Sequence, residues 1–244
     1  MKAIILAAGK GSRLQSESAD LPKALRLLEG KPLIRYVLEG LDFLRPEDIT
    51  IVVGFLGDQV KRTLGPAYHY VEQTQLDGTA HATLCAQSIV QGYEGPVLIC
   101  YCDMPLLRRE TYQAMFDTHI QEGVGHTLLA GIVPPPIPPF GRFIRDGEGR
   151  LIDIIEDSAC TPEQRLINEV NVGLQVIDGA RMWDWLGEVD NQNPKREYYL
   201  TGLVRILAQK NIPQTVVRLQ DNNEMLGINT MEDLHAAEQL LASR

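Results

Sequence analysis

Short apolar runs alternate with longer amphipathic stretches along nearly the whole chain. This rhythm constrains the fold more than any other feature. It predicts βαβ units and a Rossmann-like α/β architecture: a mixed, mostly parallel sheet flanked by helices. Lys2–Ala7 reads as the first strand. Residues 32–44 read as a helix, with Pro32 suited to its first turn. A strand at 49–54, a helix at Gly57–Leu64 and a strand at 68–72 follow. The pattern then gives a helix at 79–90, a buried strand at 96–102, a helix at 109–121 and a strand at 127–133.

The run PPPIPPF at 134–140 can form neither a helix nor a central strand. It reads as a hinge into a second, smaller lobe. Beyond it, strands are expected at 141–145, Leu151–Ile155 and 170–177, and helices at 178–186 and 199–210. A strand at 214–219 and a helix at 230–242 close the pattern. Thr230 with Asp233 three residues on forms a near capping box. The expected division is 1–133 for a first part, 134–229 for the second lobe and its return to the core, and 230–244 for the last helix.

Composition excludes several classes. With 244 residues, 44% of them hydrophobic, the chain can bury a sizeable core. The formal charge is −9 with no lysine or arginine run, which argues against nucleic-acid binding. No apolar run approaches the ~18–20 residues of a membrane helix, and the apolar N-terminus is too short for a signal peptide. A cytoplasmic chain without membrane attachment is expected, its oligomeric state open. Cys85, Cys100, Cys102 and Cys160 form no C-x-x-C pair; Cys100 and Cys102 sit two apart in an apolar run, so they are expected on one side of a strand as core thiols.

Four motifs carry chemistry. The first strand empties into Ala7-Ala8-Gly9-Lys10-Gly11-Ser12-Arg13. Such a turn presents backbone N–H groups to phosphate oxygens, and Lys10 and Arg13 add positive charge. An ordinary βα turn would use the same glycines. Lys23, in Leu-Pro-Lys-Ala-Leu, lies where it can fold back over the same phosphates; a solvated loop cation is the plainer alternative. Gln73 has an amide able to pair with a base edge, and Gly78-Thr79 opens the next helix with Thr79 as a candidate cap. His81 reads as structural. Asp103 ends the buried strand at its carboxyl edge, where open α/β sheets bind ligands and a carboxylate suits Mg²⁺. A turn-capping role for Asp103 is the alternative. Glu156, Asn171 and Gly173 sit at strand ends, and Asn229 closes an expected short strand before the last helix.

Taken in order, LAAGKGSRL, LPKAL, GTAHA, DMPL, FGR, the glutamate of IIE, EVNVG, EYYLTG and GIN resemble the sugar-1-phosphate nucleotidyltransferase family, and within it the uridylyltransferase branch. The resemblance covers nearly the whole chain. It implies a nucleotide-diphospho-sugar transferase fold with a sugar-binding lobe. It also implies transfer from a nucleoside triphosphate, UTP, to a sugar-1-phosphate, N-acetylglucosamine-1-phosphate, with Mg²⁺ as cofactor. By the same resemblance Ala8, Gly9 and Gly11 contact the nucleotide, and Arg13 and Lys23 hold the triphosphate. Gln73 reads uracil beside Gly78 and Thr79, and Asp103 and Asn229 bind the metal. Gly141, Glu156, Asn171 and Thr201 form the sugar-phosphate pocket.

The chain departs from the pattern at Cys102, Val172 and Gly202, where the family usually has glycine, threonine and aspartate. These changes bear on the sugar more than on the nucleotide. Other acceptors remain as alternatives: muramic acid phosphate, glucose-1-phosphate, or phosphocholine with CTP. A regulatory module that binds nucleotide sugars without turnover is the rival from a different class. Retention of Arg13, Lys23 and Asp103 argues against it. No hexapeptide repeats occur, so acetyltransferase activity is not expected.

Overall fold

The computed structural model describes residues 1–9 and 21–243. The strands are β1 (Lys2–Ala7), β2 (Leu27–Leu28), β3 (Lys31–Pro32), β4 (Ile49–Val53), β5 (His69–Glu72), β6 (Pro96–Tyr101), β7 (His126–Ile132), β8 (Arg142–Arg145), β9 (Leu151–Ile155), β10 (Glu169–Asp178) and β11 (Gln214–Arg218). The helices are α1 (Leu33–Gly40), α2 (Gly57–Leu64), α3 (Thr79–Cys85), α4 (Gln87–Val90), α5 (Arg109–Glu122), α6 (Met182–Leu186), α7 (Gly202–Gln209) and α8 (Met231–Ala242).

The main sheet runs β11-β7-β10-β6-β1-β4-β5, with β8 branching from β10 and carrying β9. Strands β6, β1, β4 and β5 are mutually parallel, as are β7 and β11. Only β10 opposes its neighbours β6 and β7 along this path. The expected mixed, mostly parallel sheet is therefore present.

Each central strand buries both faces. Ala3, Ile5 and Ala7 of β1 meet Ile34 and Val37 of α1, Val60 of α2 and Phe116 of α5 in one core layer. Ile4 and Leu6 face the other way, into a layer with Ala80 and Ala82 of α3, Trp185 of α6 and Leu203 of α7. This double burial explains why β1 and β6 read as apolar runs rather than alternating ones. Cys100 and Cys102 lie in the first layer, as core thiols should. Burial pushes the Cys102 thiol up to about 12, with the Asp103 carboxylate adding and Lys23 opposing, so it stays protonated at neutral pH.

Several elements differ in extent from the expected ranges. Helix α1 stops at Gly40, where an added Cβ would lie 2.7 Å from the Tyr112 ring. The expected 79–90 helix breaks at Ala86 into α3 and α4. Asp178 belongs to β10, and Gly179 presses on the Gly95 carbonyl, so α6 begins only at Met182. Leu200 N–H is bonded to Thr79 and the Thr201 hydroxyl to Glu156, and α7 begins only at Gly202. Residues 227–229 form no strand. A small β2–β3 hairpin is an addition to the expected elements; its Leu28 packs with Leu33 of α1 against Ala237 of α8. Residues 134–140 are irregular.

Candidate active site

Chain order sets the location of the site. From β1 the chain moves to β4 and β5 on one side, then crosses back to β6 on the other. The β1/β6 boundary is thus the topological switch point, where a crevice opens beyond the carboxyl ends of the strands. A cavity of about 240 Å³ lies there. Ala8, Gly9, Lys23, Gln73, Gly78, Thr79 and Asp103 all line it. Segments far apart in sequence, from Leu6 to Glu197, thus meet in one place. Gly11 and Arg13 lie outside the described residues.

Asp103 leaves the end of β6, and its backbone carbonyl accepts a hydrogen bond from Ile228 N–H at 2.8 Å. This contact draws residues 227–229 to the strand end and delivers Asn229. The Lys23 ammonium lies between the two side chains. It donates to Asp103 Oδ2 and, at 2.9 Å, to Asn229 Oδ1. Two hard oxygen donors thus face one small cation. The Asn229 backbone is itself anchored, because its N–H and that of Thr230 both donate to Asp233 Oδ2 at 2.8 Å. Among the described residues no group of three or more His, Cys, Asp or Glu side chains converges as a metal cage.

Gln73 follows β5 and is almost fully buried. Its Nε2 donates to the Gly78 carbonyl at 3.2 Å and lies 3.2 Å from His81 Nδ1. Reversing the amide would set two carbonyl oxygens against each other, so the Gly78 carbonyl sets its orientation. Both amide hydrogens are then committed to the protein, and Oε1 is the end left for a ligand. His81 buttresses this arrangement as an acceptor, which places its proton on Nε2.

Thr79 is not the cap of α3. Gly78 takes the N-cap position, at φ +108°, without a side-chain cap bond. The Thr79 hydroxyl instead accepts from Leu200 N–H at 2.9 Å.

The four residues expected at the sugar phosphate also gather. Asn171 N–H donates to the Gly141 carbonyl at 2.8 Å, and Thr201 Oγ1 donates to Glu156 Oε1 at 3.0 Å. A Cβ on Gly141 would lie 3.7 Å from both Asn171 Cβ and Glu156 Oε1. Glu156 and Thr201 also form part of a second cavity of about 570 Å³, which extends past Tyr199 and Gly202; Gly141 and Asn171 are not among its walls.

Three further residues escaped the sequence reading. Tyr101, the last residue of β6, lines the switch-point cavity, and its ring closes over Gly173. Burial raises its phenol well above the usual range, Asp103 and Glu156 add to that, and a hydrogen bond with Thr79 opposes it. Glu197 lines the same cavity. Arg142, 1% exposed, donates to the Phe140 carbonyl and to Asp157 Oδ1 at 3.1 Å. It ties the segment before Gly141 to the one after Glu156. Its signal was the FGR motif, of which only the glycine had been assigned a role.

An open α/β sheet with Gly9, Lys23 and Asp103 at its switch point has the layout of a nucleotide-handling transferase. The family model for the MobA-like NTP transferase domain matches residues 3–131, and the chain belongs to that family. Among curated proteins it is 38% identical over 242 residues to the bifunctional protein GlmU of Cyanothece sp., covering 98% of this chain and 52% of that protein. It is 33% identical over 243 residues to the bifunctional protein GlmU of Solibacter usitatus, covering 99% of this chain and 51% of the relative. The chain thus spans about half the length of these relatives. A solved Bacillus anthracis structure, described as a glucose-1-phosphate thymidylyltransferase in complex with a sucrose, superposes with a TM-score of 0.74 at 20% identity. The match covers 98% of this chain and 94% of that one, and it shows the shared fold. Among the described residues no helix is long and apolar enough to cross a membrane.

Proposed function

We propose that this chain transfers a uridylyl group from UTP to N-acetylglucosamine-1-phosphate and releases pyrophosphate. The observation that carries this reading is the convergence of Gln73, Lys23, Asp103 and Asn229 on the switch-point crevice. Similarity to the GlmU proteins supports the choice of substrates. In this reading residues 1–133 hold the nucleotide, residues 134–229 add the sugar side and return to the core, and 230–244 close the fold.

Base choice follows from the orientation of Gln73. Its amide N–H groups are taken by Gly78 and His81, so it offers the base an acceptor. Uracil N3–H donates to that oxygen. Cytosine N3 carries a lone pair there and is repelled. UTP is therefore preferred over CTP by at least roughly tenfold, or about 1.4 kcal/mol.

The acceptor needs no activating base, because a sugar-1-phosphate oxygen is already anionic. Catalysis is positioning plus charge stabilisation. Lys23, with Arg13 from the glycine turn, neutralises charge on the leaving pyrophosphate. Ala8 and Gly9, with Gly11, bring backbone N–H groups to the nucleotide. Asp103 and Asn229 fit Mg²⁺, which takes one or two protein oxygens and completes its shell with phosphate and water. Bound there, Mg²⁺ would supply charge neutralisation between the two phosphate groups. Gly141, Glu156, Asn171 and Thr201 hold the sugar.

The test is pyrophosphate release with each of four nucleoside triphosphates against a panel of sugar-1-phosphates and phosphocholine. UTP with N-acetylglucosamine-1-phosphate should give the highest kcat/KM. A clear preference for CTP or ATP, or for another acceptor, overturns the assignment. Binding of a nucleotide sugar with no turnover of any pair points to the regulatory module instead.

A further inference from the structure

The base-reading loop and the sugar side are joined by a seam. Tyr198 N–H donates to the Asp77 carbonyl at 2.7 Å, and Ala80 N–H donates to the Tyr198 carbonyl at 2.9 Å. Leu200 N–H donates to Thr79 Oγ1 at 2.9 Å. The two backbones are pressed so close that a Cβ on Gly78 would lie 2.5 Å from Tyr198 O and 2.7 Å from Tyr198 N. Only glycine fits there, at φ +108°.

Each end of the seam leads to a different substrate. On one side Gln73 holds the Gly78 carbonyl. On the other, Thr201 follows Leu200 directly and donates to Glu156 Oε1. Three hydrogen bonds joined by two single-residue steps along the chain, Gly78 to Thr79 and Leu200 to Thr201, therefore run from the base-reading amide to the carboxylate at the acceptor pocket. Two of the seam bonds are between backbone groups, and the third depends on the Thr79 hydroxyl. Leu200 is fully buried, so without that hydroxyl its N–H would lack an acceptor or the segment would have to shift.

We infer that Thr79 is a positioning residue that couples the two half-sites. A nucleotide seated against Gln73 and Gly78 steadies residues 198–201, and with them Thr201 and Glu156. Acceptor then binds more tightly to the nucleotide-loaded chain than to the free one, and linkage requires the reverse effect to be equal. The inference rests on the uridylyl-transfer reading and adds that the two substrates bind cooperatively through this seam.

The experiment measures the Kd of N-acetylglucosamine-1-phosphate by calorimetry in Mg²⁺ buffer, with and without saturating α,β-methylene-UTP, which cannot be cleaved at the α–β bridge. Wild type should bind the acceptor at least about fivefold more tightly with the analogue present. Thr79→Ser keeps the hydroxyl and should keep most of that factor. Thr79→Val, of nearly the same shape, should bring it to within about twofold of no coupling; the ratio is taken at saturating analogue, so weaker nucleotide binding from loss of a cavity-lining hydroxyl does not enter it. Circular dichroism checks that both variants fold, and the serine variant carries the comparison if the valine variant does not.

Undiminished coupling in Thr79→Val, or loss of coupling in Thr79→Ser as complete as in the valine variant, overturns the inference. Loss of analogue affinity in Thr79→Val with the coupling factor intact also overturns it, because Thr79 would then be a plain nucleotide contact. Wild type that binds both ligands independently removes the seam's role and leaves the reading intact. Wild type that binds neither ligand removes both.

Discussion

At the scale of single residues, the site is a small set of charges around Asp103. Lys23 is its immediate partner, and Asn229 shares the same ammonium. Asp103→Asn keeps the shape and removes the charge. It should lower kcat by about a hundredfold or more at saturating Mg²⁺, with little change in Tm. Lys23→Ala should cost a similar factor in kcat/KM if, as proposed, Lys23 is a preorganised donor to the phosphates. Gln73→Ala should act differently: the ratio of kcat/KM for UTP over CTP should fall toward unity, while turnover of the best remaining triphosphate falls less. Steady-state kinetics on the three variants checks these outcomes. Near-normal turnover by the asparagine variant would remove Asp103 from the metal role.

At the scale of elements, the start of α8 links helix stability to the site. Thr230 Oγ1 accepts from Asp233 N–H, and Asp233 Oδ2 accepts from both Thr230 N–H and Asn229 N–H. The capping box thus also fixes the backbone of the proposed ligand Asn229. Asp233→Ala should destabilise the fold by about 1 kcal/mol, measured by urea unfolding. It should also raise the Mg²⁺ concentration for half-maximal rate by about tenfold, as loss of a ligand's support does. Thr230→Ala should match the stability loss with a smaller effect on Mg²⁺, because Asp233 would still hold Asn229. Equal Mg²⁺ responses in the two variants would break that link.

At the scale of the whole molecule, the sheet contains a buried titratable joint. His126 of β7 meets Gln214 of β11 at 2.9 Å through Nδ1 and Gln175 of β10 at 2.8 Å through Nε2. Burial lowers its pKa to about 4, against hydrogen bonds to Gln214 and Gln175 that oppose the shift. A neutral imidazole donates from one nitrogen only. The Gln214 amide nitrogen is held by the Val204 carbonyl, so Nδ1–H donates to Gln214 Oε1 and Nε2 accepts. Gln175 Oε1 is the atom placed against Nε2 while its amide nitrogen has no partner, and turning that amide over supplies the donor that Nε2 calls for. The folded-state value lies below the unfolded value of about 6.5, so the unfolded chain binds the extra proton first. The His126 contribution is complete above about pH 6.5 and is lost as pH falls toward about 4. Stability should drop by about 2–3 kcal/mol between pH 7 and pH 4.5 from this group. Urea unfolding of wild type against His126→Gln at both pH values isolates it, and parallel losses in the two proteins would refute it.

What the sequence determined by itself was whatever depends on neighbours along the chain. Lys2–Ala7, Gly57–Leu64 and Leu151–Ile155 have the ranges that apolar periodicity predicts, because double burial or a helix face leaves a local pattern. Placing Asp103 at a strand's carboxyl edge needed only the apolar run before it and the charge that ends it. The capping box at Thr230 and Asp233 was likewise local. Tertiary structure decided the rest, since a pattern of apolar runs carries no strand order. Nothing local shows that β10 inserts antiparallel between β6 and β7, or that Leu27–Leu28 and Lys31–Pro32 pair beneath α8. The same holds for the orientation of the Gln73 amide, which a carbonyl and an imidazole impose only once folding has brought them together. Thr79 shows the limit most clearly. Its local context says helix cap, yet its hydroxyl serves Leu200, 121 positions away, because a buried N–H must find an acceptor wherever the fold places one.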